Sequence, residues 1–360
     1  MSNLLTASRM RAYRECPKKH EYLYVKGYRP AAKEEALAFG TLWHDAMERF
    51  YLWFKDPFNT ANIALPYSAA HTAAFTYLDH RLVGPSRIEP FTASRLRAML
   101  LHYVNSLHAS KFFERYKVVS VEHEFLQPLI NPDTLRRSET WVSAGKIDVL
   151  LQDKATARYV VMEHKTTDDA IEGDSPYWGR LMLDAQISQY VVAAEAMFDV
   201  QVDQVIYDVV RKLKIRPLRR STGARYRKPA TAEERSLVAD HPRLQRRRYR
   251  ENDETVYEYE LRCHSAIART KSTLHRMQHV ARTDSMIRDY MRNAWATAKM
   301  MRADELNGWA IHNPDACHRW GLCPFWRVCV KQADLDSNKF IKLDNVHPEL
   351  SIPLEPRSST

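Results

Sequence analysis

Apolar positions change their period several times along the 360 residues, and each change marks an element. In residues 36–54, Phe39, Trp43, Met47 and Phe50 recur at three- and four-residue spacing, the stripe of a core-facing helix. Gly40, His44 and Glu48 form an adjacent face of that helix, with Gly40 expected to let another backbone approach closely. Residues 4–28 begin helix-like and are interrupted at Pro17. Residues 55–115 are helical with breaks at Pro57, Pro66, Pro85 and Pro90. Strand-like, β-branched runs follow at 116–130, 141–151 and 159–165, then a helix at 184–197 and a strand at 201–210. Helical periodicity returns over 258–304, and 331–360 reads as a partly ordered tail. The order β-β-β-α-β, preceded by helices, predicts an α/β protein: a small mixed sheet embedded in a helical shell.

The centre of this pattern is a predicted hairpin at 145–165, two apolar runs joined by the polar turn Asp153-Lys154-Ala155-Thr156. Asp148 lies inside the first run, while Glu163 and Lys165 close the second on one strand face, because residues two apart point the same way. Charges on an apolar hairpin are costly to bury unless they are paired or bind a metal. Two carboxylates and an ammonium suit a hydrolytic metal site. They are also an ordinary solvated strand end, and His44 on the upstream helix is the candidate that supplies a further ligand.

Composition adds partners and compartment. The chain carries a net charge of +10, and residues 211–250 concentrate fifteen Lys or Arg against three acids. That stretch reads either as a solvated loop or as an arm for phosphates with tyrosines for base stacking. Its candidate contacts are Arg211, Lys212, Lys214, Arg219, Arg220, Arg225, Tyr226, Arg227, Lys228, Arg246, Arg247 and Arg248. No Gly-x4-Gly-Lys-Ser/Thr loop is present, which excludes that class of NTP-driven motor. No apolar run reaches the ~18 residues that span a bilayer, and residues 1–20 lack the apolar centre of a signal peptide. The expected location is therefore cytoplasmic, where five cysteines read as ligands or buried thiols.

Cys317, Cys323 and Cys329 follow one another as Cys-x5-Cys-x5-Cys beside proline and tryptophan. Thiolates in such a loop suit zinc or an iron–sulfur cluster. Cys16, just before Pro17, is the natural fourth ligand and would join the two ends of the chain. A Cys3His zinc site using His264 or His318 is the competing arrangement, and Cys263 reads as a buried thiol.

Four ordered segments together resemble the PD-(D/E)xK nuclease superfamily, in its RecB-like branch of CRISPR-associated RecB-type nucleases, AddB-type nuclease domains and phage exonucleases. Gly40-Thr41-Leu42-Trp43-His44 is similar to the Gly-x3-His helix, and Gly145-Lys146-Ile147-Asp148 to the Gly-x-x-Asp strand. Glu163-His164-Lys165 is similar to Glu-x-Lys, and Gln186-Ile187-Ser188-Gln189-Tyr190 to Gln-x3-Tyr. The resemblance implies a restriction-endonuclease-like core in which His44, Asp148, Glu163 and the His164 carbonyl bind Mg2+ or Mn2+. Lys165 would orient water, Gln186 and Tyr190 would steady Lys165 and the substrate strand, and Glu48 and Glu122 would stand outside the ligand set. It also implies a [4Fe-4S] cluster on Cys16, Cys317, Cys323 and Cys329, with Zn2+ as the alternative, because the x5 spacings depart from the family's usual Cys-x2-Cys pair.

The expected organisation is an N-terminal helical region (1–115), a nuclease core (116–210), a basic DNA-binding arm (211–257), a helical region with the cysteines (258–330) and a tail (331–360). The expected activity is a metal-dependent exonuclease on single-stranded DNA ends, in recombination, repair or replication and plausibly phage-encoded. A non-catalytic nucleic-acid-binding subunit of a helicase–nuclease complex and a structure-selective endonuclease are the competing readings.

Overall fold

The computed structural model describes residues 3–31, 35–62, 66–81, 88–220, 252–319 and 321–351. In chain order its elements are β1 (Asn3–Leu5), α1 (Ala7–Glu15), α2 (Pro17–His20), a π-helical turn (Glu21–Val25), β2 (Tyr28–Pro30), α3 (Glu35–Lys55), α4 (Pro57–Asn62), α5 (Pro66–His80), α6 (Pro90–Ala109) and α7 (Phe112–Arg115). They continue through β3 (Tyr116–Ile130), β4 (Arg137–Asp153), β5 (Tyr159–Thr167), α8 (Pro176–Leu181), α9 (Ala185–Phe198) and β6 (Val202–Arg211). After these come α10 (Val256–Arg269), β7 (His275–Val280), α11 (Asp284–Asn307), α12 (Trp326–Cys329) and β8 (Phe340–Lys342). The mixed α/β class expected from the alternation of periods is what the chain adopts.

Six strands form the main sheet. β4 is its spine: β3 runs antiparallel along one edge, and the other edge is shared by β1, parallel at Trp141–Ser143, and β5, antiparallel at Val149–Gln152. Beyond β5 the order continues with β6, parallel, and β7, antiparallel. Strands β1 and β7 correct the sequence reading, which placed helix-like structure at both positions. β1 has only three residues, too few to display alternation, and β7 reads His275-Arg276-Met277-Gln278-His279-Val280, half polar along its length. Likewise the stretch read as tail includes β8, which pairs antiparallel with β2, and Leu350, which is buried against Leu4 and Ala144.

Helices cover both faces. Phe39, Trp43, Met47 and Phe50 of α3 are all at most 1% exposed and pack with α5, α6, α10 and the strand residues Val149, Leu151, Val160 and Met162. Burying side chains of this size contributes roughly 1.5–3 kcal/mol apiece, so the stripe anchors α3 on the sheet. Cys263 belongs to this layer, fully buried as its apolar surroundings on α10 require. On the opposite face, Ile147, Leu150, Val161, Val205, Tyr207 and Val209 pack against α8 and α9. α9 starts on Asp184, whose side chain accepts the Gln186 N–H at 3.0 Å, and ends at Asp199 in the left-handed region. No described helix is long and apolar enough to cross a membrane.

Candidate metal centre

The β4–β5 turn is held by Asp153, whose Oδ1 accepts the N–H groups of Ala155 and Thr156, with Ala157 at φ +58°. From there the ladder runs to Val149↔Met162 and stops. The next residues are Asp148 and Glu163, at the point where the two strands part. The Asp148 side chain replaces the missing rung, with Oδ2 accepting the His164 backbone N–H at 2.9 Å. Across β4, Glu122 takes a left-handed backbone (φ +48°) between the pairs Val121↔Val149 and His123↔Ile147, which sets it opposite Asp148. α3 brings His44 over this corner, with Nδ1 3.4 Å from Asp148 Oδ2. Ligand atoms of His44, Glu122 and Asp148 all lie within 4.8 Å of one another.

Glu122 is the residue that sequence reasoning placed outside the ligand set. Its position beside His44 and Asp148 follows from strand register and a positive φ, neither of which a motif displays. Lys146 Nζ lies 2.5 Å from Glu122 Oε2 and partly offsets the acidic cluster. Glu163 is 1% exposed; its Oε1 accepts from Lys165 Nζ at 2.6 Å, while its Oε2 is buried with no hydrogen-bond partner. A buried carboxylate oxygen without a partner is costly. The ligand atoms that come together are those of His44, Glu122 and Asp148, an imidazole and two carboxylates that suit a hard divalent cation, with Glu163 beside that group rather than in it.

The electrostatics agree. Burial, with the neighbouring Asp148 carboxylate, pushes Glu122 up to about 7 despite Lys146. The same two causes raise Glu163 to about 7 despite Lys165. Burial raises Asp148 as well, and burial together with His164 and Lys165 lowers His44 to about 4, leaving its imidazole neutral and able to ligate. Without a cation the pocket therefore takes up protons from solution. Carboxyls raised above their unfolded values bind more protons in the folded state, so their contribution to stability falls as pH rises from about 4.5 to about 7. A cation that replaces those protons relieves the penalty. Mn2+ is therefore expected to raise the melting temperature more at pH 8 than at pH 6; thermal unfolding at fixed free Mn2+ checks this, and an equal rise at both pH values would contradict it.

Lys165 is held on three sides. Besides Glu163, Gln186 Oε1 accepts from its ammonium at 2.9 Å and Asp184 Oδ2 lies 3.7 Å away. Burial opposes its charge, but Glu163 and Asp184 outweigh that and raise its pKa above the ordinary value. Gln186 Nε2 in turn donates to Tyr190 Oη at 2.9 Å, one helical turn on. Gly145 makes room for the Phe125 ring beside Tyr190: a Cβ there would meet Phe125 Cζ at 2.7 Å, and Tyr190 Cε1 only at 3.4 Å. The steric demand expected at Gly40 falls at Gly145 instead, since a Cβ on Gly40 would make only an ordinary 3.5 Å contact with Thr166 Oγ1.

The His164 side chain lies beneath α3, its ring edge-on to His44 with 6.2 Å between centroids and 5.0 Å from the Tyr51 ring. Its Nδ1 lies 2.8 Å from Asp208 Oδ2, His275 Nε2 lies 2.7 Å from Asp208 Oδ1, and Tyr103 Oη donates to Oδ2 at 2.7 Å. Tyr51 Oη is 2.7 Å from Tyr103 Oη. Asp208 is fully buried, yet its carboxyl is held well below the usual range, because His275 and His164 outweigh the cost of burial. Sequence reasoning missed this network, whose members come from α3, α6, β5, β6 and β7.

Of the basic candidates, Arg211 and Lys212 stand near Glu172 and Asp168 (3.5 and 3.6 Å), Lys214 is exposed, and Arg219 and Arg220 both engage Asp253. Lys212, Lys214 and Arg219 line a cleft of about 1140 Å³ together with Arg95 and Arg216. Arg225, Tyr226, Arg227, Lys228, Arg246, Arg247 and Arg248 lie outside the described residues.

The cysteines come from two chain ends that pack together. Cys16 sits between α1 and α2, and this corner is tied to the C-terminal loop by Lys18 N–H to Ile311 O (3.0 Å) and Asn313 Nδ2 to Glu15 O (2.8 Å). Cys323 N–H donates to Cys317 O at 2.8 Å, and Cys329 closes α12. Burial raises the Cys323 and Cys329 thiols, and Cys16 and Cys317 add to both shifts. The chain ends thus meet at this corner, but the four thiols do not form a closed ligand group: among the described residues the group whose ligand atoms lie within 4.8 Å of one another is His44, Glu122 and Asp148.

A family model described as the PD-(D/E)XK nuclease superfamily matches residues 4–330. No curated protein matches the chain.

Proposed function

The chain belongs to the PD-(D/E)XK nuclease superfamily, and on that premise we propose that it is an exonuclease acting on single-stranded DNA ends. Membership makes it a metal-dependent nuclease with nucleic acid as its substrate. The observation that carries the site assignment is the Glu163–Lys165–Gln186–Tyr190 chain of hydrogen bonds beside the His44–Glu122–Asp148 group. His44, Glu122, Asp148 and Glu163 Oε2, with the His164 carbonyl, are the groups that would hold Mg2+ or Mn2+. Such a cation, when bound, supplies Lewis-acid polarisation of the phosphate and a more acidic water. Lys165 keeps its proton and offers positive charge to the phosphate oxygens as negative charge builds on them. Gln186 and Tyr190 fix the direction of that ammonium, so little reorganisation is needed during the reaction. A non-catalytic scaffold has no use for a buried, unpartnered carboxylate oxygen beside a buried ammonium.

The preference for single strands and ends rests on the basic residues that follow β6 and on the resemblance to recombination and phage exonucleases. End-labelled linear and circular single-stranded DNA, each incubated with Mg2+ or Mn2+, separate the possibilities. Digestion of the linear form alone is expected, whereas cutting of circles would favour the structure-selective endonuclease.

Cys16, Cys317, Cys323 and Cys329 would carry a [4Fe-4S] cluster that joins the chain ends. Anaerobically prepared protein is expected to absorb near about 400 nm. Stoichiometric zinc with no such band would assign the site to Zn2+ instead.

A further inference from the structure

We infer that the cleft between α1 and the α8–α9 corner is a second phosphate-binding track, which holds the DNA strand adjoining the nucleotide in the metal pocket. The inference rests on the nuclease reading above and assigns residues outside the basic arm. The cleft holds about 510 Å³ and is lined by Arg11, Arg14, Arg180 and Arg319, with Asp184 and Gln186 also in its wall. Gln186 is the side chain that accepts from Lys165, so the cleft opens directly onto the candidate site.

Four arginines from three separate parts of the chain converge here. Arg11 and Arg14 are three residues apart and share one face of α1. Arg180 lies in the last turn of α8, and Arg319 comes from the loop between Cys317 and Cys323. The acids that share the cleft are already committed. Glu15 is paired with Lys19 at 3.1 Å, and Asp184 caps α9 and faces Lys165. Arg180 engages Asp169, and Arg14 Nε donates to Thr297 Oγ1 at 3.0 Å, which holds its guanidinium in place. Arg11 and Arg319 are exposed and have no ion pair among the described residues. Converging like charges repel, and a polyanion that bridges them turns the repulsion into binding. Beside them Leu183 is 89% exposed at the α8–α9 corner, an apolar surface for an unpaired base rather than for a fully paired duplex.

The position of Arg319 also gives the cysteine loop a task near the substrate. Whatever binds Cys317 and Cys323 fixes the segment that presents Arg319 to the strand.

The test is binding of a fluorescently labelled single-stranded oligonucleotide to the full chain, followed by anisotropy in metal-free buffer across a salt series. The double variant Arg11→Gln/Arg319→Gln is expected to bind at least about ten-fold more weakly at low salt. Its plot of log affinity against log salt should flatten by about 1.4, at ~0.7 per lost contact on a single strand. Arg11→Lys/Arg319→Lys should restore most of the slope, and Lys111→Gln, an exposed cation on the α6–α7 turn, should change neither quantity. Both arginines are exposed and unpaired, so an unchanged melting temperature is expected and confirms that the fold is intact. Wild-type affinity and slope in the double variant would overturn the track while leaving the nuclease reading in place. A wild-type chain that binds no DNA would count against the nuclease reading itself.

Discussion

Lys165→Ala is expected to lower metal-dependent DNA cleavage by about 10²–10³-fold, the range seen when one preorganised charge-stabilising donor is removed, with DNA affinity nearly unchanged. The ammonium sits 2.6 Å from Glu163 Oε1 and 2.9 Å from Gln186 Oε1, so it is fixed before substrate arrives. The loss should therefore fall on kcat rather than on KM. A second consequence follows from the charge balance. Lys165 is what restrains the upward shift of Glu163, so without it Glu163 holds its proton to higher pH. The acid limb of the residual activity should consequently move to higher pH than in the wild type. Retention of near wild-type cleavage in both Lys165→Ala and Glu163→Ala would remove these residues from the reaction.

The largest effect on stability is expected at Asp208. Asp208→Ala deletes the acceptor shared by His164, His275 and Tyr103, which strips His164 Nδ1 and His275 Nε2 of their partner and leaves Tyr103 with Tyr51 alone. Removing one partner of a buried charged network costs about 3–5 kcal/mol, a large fraction of a typical folding free energy. Denaturant unfolding should show a lower midpoint with little change in slope. The consequence reaches the candidate site through the backbone, because His164 lies between Glu163 and Lys165 on β5 and its N–H also holds Asp148. Asp208→Ala should thus weaken Mn2+ binding under conditions where the protein is still folded. A change below about 1 kcal/mol would show that the network contributes little.

Much of the site could be read from residue order because its parts obey local rules. Glu163 and Lys165 share a strand face, Gln186 and Tyr190 share a helix face, and the Asp153 turn has the side chain such a turn requires. His44 was legible because its helix carries an unambiguous apolar stripe at Phe39, Trp43, Met47 and Phe50. The residues that were missed depend on pairing between distant segments. Glu122 joins His44 and Asp148 only through the β3–β4 register and its left-handed backbone. Asp208 lies in an apolar run, and nothing local shows that two histidines and a tyrosine surround it. The same limit applies to elements: β1 is too short to show alternation, and β8 is a strand only because β2 lies beside it. Arg11, Arg14, Arg180 and Arg319 are scattered in sequence, so their convergence appears only once α1, α8 and the cysteine loop are folded together.

The central claim is that the pocket of His44, Glu122, Asp148 and Glu163 binds the cation that cleavage requires. The most direct measurement is Mn2+ binding by titration calorimetry to the wild-type chain and to Asp148→Asn, paired with digestion of linear single-stranded DNA in the same buffers. Saturable binding is expected in the wild type, with cleavage that appears on the same Mn2+ scale and disappears with chelator, and both should be lost in Asp148→Asn. Undiminished Mn2+ binding and cleavage in Asp148→Asn, or wild-type cleavage that survives the chelator, would contradict it.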